Sequence, residues 1–201
     1  MFRTFERLTL DKTCITWGKL PSISHIDNNK VKNHILKNKN NLERLSSNEF
    51  EPYYQYYKQV YTKELTWLTE YIMQNYTAAF VKPLELFECV FLIQEPNQTI
   101  RTHHHQVSPN QKDNPDLSVL YSVNLGKEKT RLFFEYDKGR FKNCSDYIDL
   151  ETGKFIIFNS NLNHYIEQNK NDESNLYISL HFQYVNGDNG REETDYEVKY
   201  T

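Results

Sequence analysis

The chain has 201 residues, a formal charge of −3 and only 38% hydrophobic residues, yet 14% of it is aromatic. Fifteen tyrosines and twelve phenylalanines bury large apolar areas with few residues, so a core without disulfides is expected, in one domain over residues 1–201. The balance of 24 basic against 27 acidic residues excludes the polybasic footprint that non-specific nucleic-acid binding needs.

Cys14, Cys89 and Cys144 are far apart and form no Cys-x-x-Cys, so zinc-ribbon and thioredoxin-like readings fail. Free thiols fit a reducing compartment. The first residues, MFRTFERLTL, mix both charge signs without a long apolar run and do not read as a signal peptide. No stretch reaches the length of a transmembrane helix, and a cytoplasmic location is expected.

In chain order, Cys14 to Trp17 reads as a short strand followed by a turn at Pro21-Ser22. Asp27 or Asn28 is placed to cap a helix carrying Val31, Ile35 and Leu36. The polar stretch KNKNNLERLSSNEFEP reads as a loop. From Tyr57 to Tyr76, Val60, Leu65, Leu68, Tyr71 and Ile72 recur at helical spacing, which predicts an amphipathic helix packed on the outside of a sheet. From Leu84 the pattern changes to strands: LELFECVFLI, LSVLYSV and RLFFEY, separated by turns at Glu95-Pro96-Asn97, Ser108 to Pro115 and Gly126-Lys127. Two more follow near the C-terminus. At least five closely spaced strands after a helical preface predict a β-barrel or sandwich. In the last strand Leu176, Ile178, Leu180 and Phe182 share one face, and Asn175, Tyr177, Ser179 and His181 the other.

The histidines carry the chemistry. His103 and His105 are two apart, so on a strand they share a face while His104 points away, and His164 follows a buried-type strand, Phe155 to Phe158. Such a set suits a metal held inside a small barrel. A non-haem iron site needs ligands on one side of the ion, commonly two histidines and a carboxylate, with the other positions open. Here the two histidines are His103 and His164, and His105 stands where a carboxylate would follow the first, which leaves an all-histidine set or a ligand from elsewhere. Three consecutive histidines also occur in solvated loops, and His164 alone is compatible with a backbone-bonded strand-end histidine.

The order Gly153, Phe158, Ser160, Leu162, His164, Asn169, Ile178, Ser179, Phe182, with His103, His105 and Ser108 upstream and Leu117 to Tyr121 as the next strand, resembles iron(II)- and 2-oxoglutarate-dependent oxygenases. Within these it is similar to a family common in phages and marine bacteria. The resemblance covers about half the chain, roughly from Phe87 to Tyr184. It implies a mainly β fold with helical support, a double-stranded β-helix (a jelly-roll, cupin-like barrel). Residues 1–83 would be helical support, 84–186 the barrel and 187–201 a tail. It further implies a hydroxylase with Fe(II) on His103, His105 and His164, and 2-oxoglutarate near Asn175, Tyr177, Ser179, Arg131 and Tyr121.

Where the resemblance wants an arginine for the co-substrate's far carboxylate, the gapless match gives Asn175, and a two-residue shift gives Tyr177; neither forms the bidentate charged pair of a guanidinium. Arg101 and Arg131 are alternatives from other directions, or ordinary surface arginines. His181 faces inward, to touch substrate or to make a structural hydrogen bond.

Two further readings stay open. A cupin-type dioxygenase binds iron through three histidines and lets its substrate chelate the metal, although the glutamate expected after His-x-His is missing from Gln106 to Asn110. The barrel is also readable as a binding or structural module, of phage origin, with degenerate ligands. The acidic balance favours a small-molecule or peptide substrate over nucleic acid, with no membrane and a monomer or homodimer; a phage protein would act in the host cytoplasm.

Overall fold

The computed structural model describes residues 6–10, 13–20, 26–44, 51–56, 63–80, 82–106, 108–138 and 141–185. Twelve strands are assigned among them: β1 (Glu6–Leu10), β2 (Thr13–Lys19), β3 (Glu43–Arg44), β4 (Tyr53–Tyr56), β5 (Leu84–Gln94), β6 (Ile100–His103), β7 (Leu117–Asn124), β8 (Thr130–Lys138), β9 (Phe141–Leu150), β10 (Lys154–Asn159), β11 (Asn163–Ile166) and β12 (Asn175–Tyr184). Two α-helices, α1 (Asn28–Lys37) and α2 (Lys63–Phe80), accompany them. The strands form an eight-stranded sheet in the order β1-β2-β10-β7-β12-β5-β4-β3 and a four-stranded sheet in the order β6-β11-β8-β9. Every pairing is antiparallel.

Two cores share the large sheet. On its outer face the helices contribute Val31, Ile35, Leu65, Leu68, Ile72 and Tyr76, packed with Leu117, Val119, Phe155, Leu176, Ile178, Leu180 and Phe182. On its inner face Leu120, Ile156, Phe158 and Tyr177 meet Leu132, Phe134, Ile148, Leu150 and Ile166 of the small sheet. The fold is the expected mainly β jelly roll with helices outside.

Local chemistry explains the helix boundaries. Asp27 caps α1 by accepting hydrogen bonds from the backbone N–H groups of Asn29 and Lys30 at 3.0 and 3.2 Å. Val31 and Ile35 are buried, whereas Leu36 stays 39% exposed. The helix expected from Tyr57 begins at Lys63; residues 57–62 lie outside the described residues, as do Pro21-Ser22 and residues 186–201, on which the expected turn and tail fall. Among the described residues no helix is long and apolar enough to cross a membrane.

The N-terminal third also supplies strands. β2 pairs with β10, and β4 pairs with β5, so residues before 83 extend the large sheet on both sides. β9 is a ten-residue partner of β8, drawn from a polar segment whose Cys144, Ser145 and Asp146 conceal any alternation of hydrophobicity. In the turn after β5, Asn97 takes a positive φ of 65°, a conformation asparagine tolerates better than most residues. Gly126 lies against Asn171: an added Cβ would sit 2.1 Å from its Cγ, and Asn171 is held there by the Glu128 N–H at 2.7 Å.

Candidate metal centre

β12 has no solvent face. Leu176, Ile178, Leu180 and Phe182 point to the helical layer, while Asn175, Tyr177, Ser179 and His181 point into the barrel, and all eight are buried. A polar row inside a barrel is expensive unless hydrogen-bonded, so it marks where the interior is built for more than packing.

Three histidines meet beside that row. β11 lies between β6 and β8, and His164 is the register partner of both His103 and Phe134. The ring centroids of His103 and His164 are 4.4 Å apart, those of His105 and His164 4.8 Å, and those of His103 and His105 5.1 Å. His105 follows the end of β6, and its backbone N–H donates to the Ser160 carbonyl at 2.8 Å, which pins it to the β10–β11 turn. His104 between them is exposed. One nitrogen from each of His103, His105 and His164 falls within 4.8 Å of the others.

The tautomers of His164 and His103 follow from their partners. Nδ1 of His164 lies 2.8 Å from the Leu162 carbonyl oxygen, and Nδ1 of His103 lies 2.7 Å from that of Arg101. A carbonyl only accepts, so each Nδ1 carries the proton and each Nε2 keeps its lone pair. Nδ1 of His105 is 2.6 Å from Ser118 Oγ, which is 2.7 Å from Ser160 Oγ; hydroxyls both donate and accept, so this chain holds the ring in place without choosing its tautomer. This is how ligating histidines are oriented by the groups behind them.

Protonation is disfavoured at all three. Burial, with the nearby histidines adding to it, pulls His164 down to about 3 and His105 well below the usual histidine range; His103 is lowered mainly by burial. Neutral imidazoles at physiological pH are the form a metal requires. The same burial gives the metal-free protein an acid sensitivity. A lowered folded pKa means that below pH 6.5 the unfolded chain takes up protons the folded chain refuses. Stability should therefore fall as pH drops from 6.5 toward 3, by about 1.4 kcal/mol per pH unit for one such histidine. Urea midpoints of metal-free protein across that range measure it, and His164→Asn should flatten the slope.

His103 and His105 line an open cavity of about 410 Å³, walled by Pro52, Tyr54, Val90 and Leu92 with the charged groups Glu51, Glu88 and Arg101, while His164 borders the smaller space behind them. That volume suits a small ligand or one side chain of a larger one. Behind the histidines the space is about 20 Å³, bounded by Leu92, Ile100, Leu120, Phe158 and Ile166, room for roughly one water.

The structure brings Ser179 to the histidines, lining both spaces. Tyr177 and Asn175 lie deeper and are engaged. Tyr177 donates to Gln94 Oε1 at 3.0 Å; Asn175 donates to Thr130 Oγ1 at 3.3 Å and accepts from the Gly126 N–H at 3.1 Å. Arg131 is not brought to the site: its neighbours Thr130 and Leu132 point inward, while Arg131 bonds Asp149 at 3.3 Å and covers the Tyr147 ring. Nor is Tyr121, which packs in the helical core and donates to Asn28 Oδ1 at 2.7 Å. Sequence reasoning matched Ser160 by spacing and placed Ser118 on a strand without giving either a role, and it passed over Glu88. Ser118 gave a faint signal, as a serine between Leu117 and Val119 on an apolar strand; Glu88 gave none.

No family model matches the chain, and no curated protein matches it. Solved structures do. The epimerase SnoN in complex with Fe3+, alpha ketoglutarate and nogalamycin RO aligns with a TM-score of 0.61 at 15% identity, over 84% of this chain and 78% of that one. A Pseudomonas putida prolyl-4-hydroxylase gives 0.60 at 11% identity, over 84% and 92%. The viral collagen prolyl hydroxylase of Paramecium Bursaria Chlorella virus-1, in its 2OG complex, gives 0.60 at 11% identity, over 84% and 96%. The chain therefore has the fold of the iron- and 2-oxoglutarate-dependent oxygenases, with three histidines converging inside its barrel and two of them, His103 and His105, reaching its open cavity.

Proposed function

We propose that this protein is an Fe(II)- and 2-oxoglutarate-dependent dioxygenase that hydroxylates a small molecule or a peptidyl side chain. The observation that carries the proposal is the convergence of three neutral histidines, each with its Nδ1 already bonded, two of which, His103 and His105, line an open cavity. His103, His105 and His164 would hold Fe(II). Imidazole suits iron, and three ligands on one side leave positions free for co-substrate and oxygen. The iron supplies oxygen activation for C–H hydroxylation; the chain's part is to orient and shield.

The far carboxylate of 2-oxoglutarate needs a cation. Among the described residues that line the cavity, Arg101 is the cation. The small-molecule SnoN and the two prolyl hydroxylases among the similar structures support both substrate classes.

Anaerobic titration of metal-free protein with Fe(II), then 2-oxoglutarate, tests the proposal through the weak visible charge-transfer band of the chelate. A saturable band is expected. Fe(II) binding without a band would favour a three-histidine dioxygenase whose own substrate chelates the metal. Asn175 and Tyr177 support that second reading, because both are neutral and already bonded. No Fe(II) binding at all would leave a barrel without the chemistry.

A further inference from the structure

His181 and Glu88 form a pair that the ligand set does not use. β5 carries an extra residue, Phe87, where the register with β12 shifts: His181 faces Glu88, and Phe182 faces Leu86. Such a bulge re-aims the side chains beside it. Here it turns Glu88 inward, and its Oε2 lies 2.9 Å from His181 Nδ1. The Glu88 side chain is 16% exposed and that of His181 7%. His181 Nε2 is 2.8 Å from Ser179 Oγ, and the His181 ring lies 4.2 Å, centroid to centroid, from the ring of His105, tilted by 32°. Glu88, His181 and His105 all border the same cavity.

Charge makes this pair matter. A divalent ion held by three neutral imidazoles keeps its full charge of two, and a charge in a low-dielectric interior is costly unless an opposite one is near. The other carboxylate lining the cavity among the described residues, Glu51, has a cation facing it, the Arg101 guanidinium at 3.8 Å. Glu88 faces an imidazole instead.

We propose that Glu88, acting through His181, is a positioning residue that supplies from outside the ligand set the negative charge the three-histidine site lacks. It fixes the His181 ring against His105, and its field stabilises a cation at the histidines. The inference rests on the metal-centre reading above.

The test compares Fe(II) affinity and the Fe(III)/Fe(II) reduction potential in wild type, Glu88→Gln, Glu88→Asp and Glu85→Gln, the last an exposed carboxylate on the same strand. Glu88→Gln keeps the shape and removes the charge. Its Fe(II) affinity is expected to fall at least tenfold, the scale of outer-shell ligand effects, and its potential to rise because the ferric ion loses more than the ferrous. Glu88→Asp should recover both in part if it folds, and Glu85→Gln should change neither. Folded Glu88→Gln with wild-type affinity and potential would overturn the proposal. So would weakened binding at unchanged potential without recovery by aspartate, which would mark a purely structural pair. If wild type itself binds no Fe(II), the metal-centre reading fails first, and the two failures are distinguishable.

Discussion

His164→Ala is expected to abolish Fe(II) retention while leaving the barrel folded. Structural zinc sites bind with about 10–16 kcal/mol shared among four ligands, which puts each ligand near 3 kcal/mol, more than a hundredfold in affinity, and a comparable loss is expected here. Of the three proposed ligands, His164 is the most deeply buried, 4.7 Å from the Phe158 ring and with its Nδ1 bonded to the Leu162 carbonyl. The fold should survive because the substitution removes a polar ring that burial penalises along with its packing contacts. Thermal melts with and without Fe(II) separate the effects. Wild type should gain melting temperature with metal by mass action, whereas His164→Ala should gain nothing. His104→Ala, in the same run of histidines but exposed, should behave as wild type. A His164→Ala protein that still melts higher with Fe(II) would move the site elsewhere.

The sequence was informative where one chain segment dictated its own conformation. The alternation in β12 stated both faces of that strand, and the spacing of Leu65, Leu68 and Ile72 stated the helix that covers one of them. The jelly roll and the convergence of the histidines followed, because β6 and β11 each carry a histidine at a strand position and pairing places His103 opposite His164.

What sequence hid was set by pairing between distant segments. The inward turn of Glu88 depends on a register shift against β12, invisible in LELFECVFLI alone, where simple alternation from buried Leu84 gives no hint of the bulge at Phe87. β1 was obscured for a related reason, whereas Cys14 to Trp17 had already read as the strand that is β2. An edge strand owes its place to the partner it finds, here β2, more than to its own pattern. Arg131 looked available because it begins an aromatic strand; only the observed inward turn of Thr130 and Leu132 puts it outside, against Asp149.

Arg101→Met is expected to weaken 2-oxoglutarate binding by about tenfold or more without changing Fe(II) affinity. The deep end of the barrel offers a diacid neither space nor charge. About 20 Å³ lies behind the histidines, and the polar groups beyond it, Asn175, Tyr177, Gln94 and Thr130, are neutral and bonded to one another. The open side offers both. Its cavity is about 410 Å³, and Arg101 stands on its wall two residues from His103. Its guanidinium is 3.8 Å from Glu51 with a side chain 56% exposed, a pair too loose and too wet to contribute more than about 1 kcal/mol, so an incoming carboxylate can replace Glu51. Losing a charge-assisted hydrogen bond costs about 1.5–3 kcal/mol, and solvent at this exposure moves the expectation to the lower end. Arg101→Lys should restore part of the affinity, because an ammonium keeps the charge and loses the fork. Arg131→Met, on the outer face, should have no effect. Anaerobic 2-oxoglutarate titrations of the Fe(II)-loaded variants measure all three. If Arg101→Met binds as tightly as wild type, the cation lies elsewhere. If no variant and no wild type binds 2-oxoglutarate, the neutral, bonded state of Asn175 and Tyr177 is the telling feature, and the substrate itself becomes the group that chelates the metal.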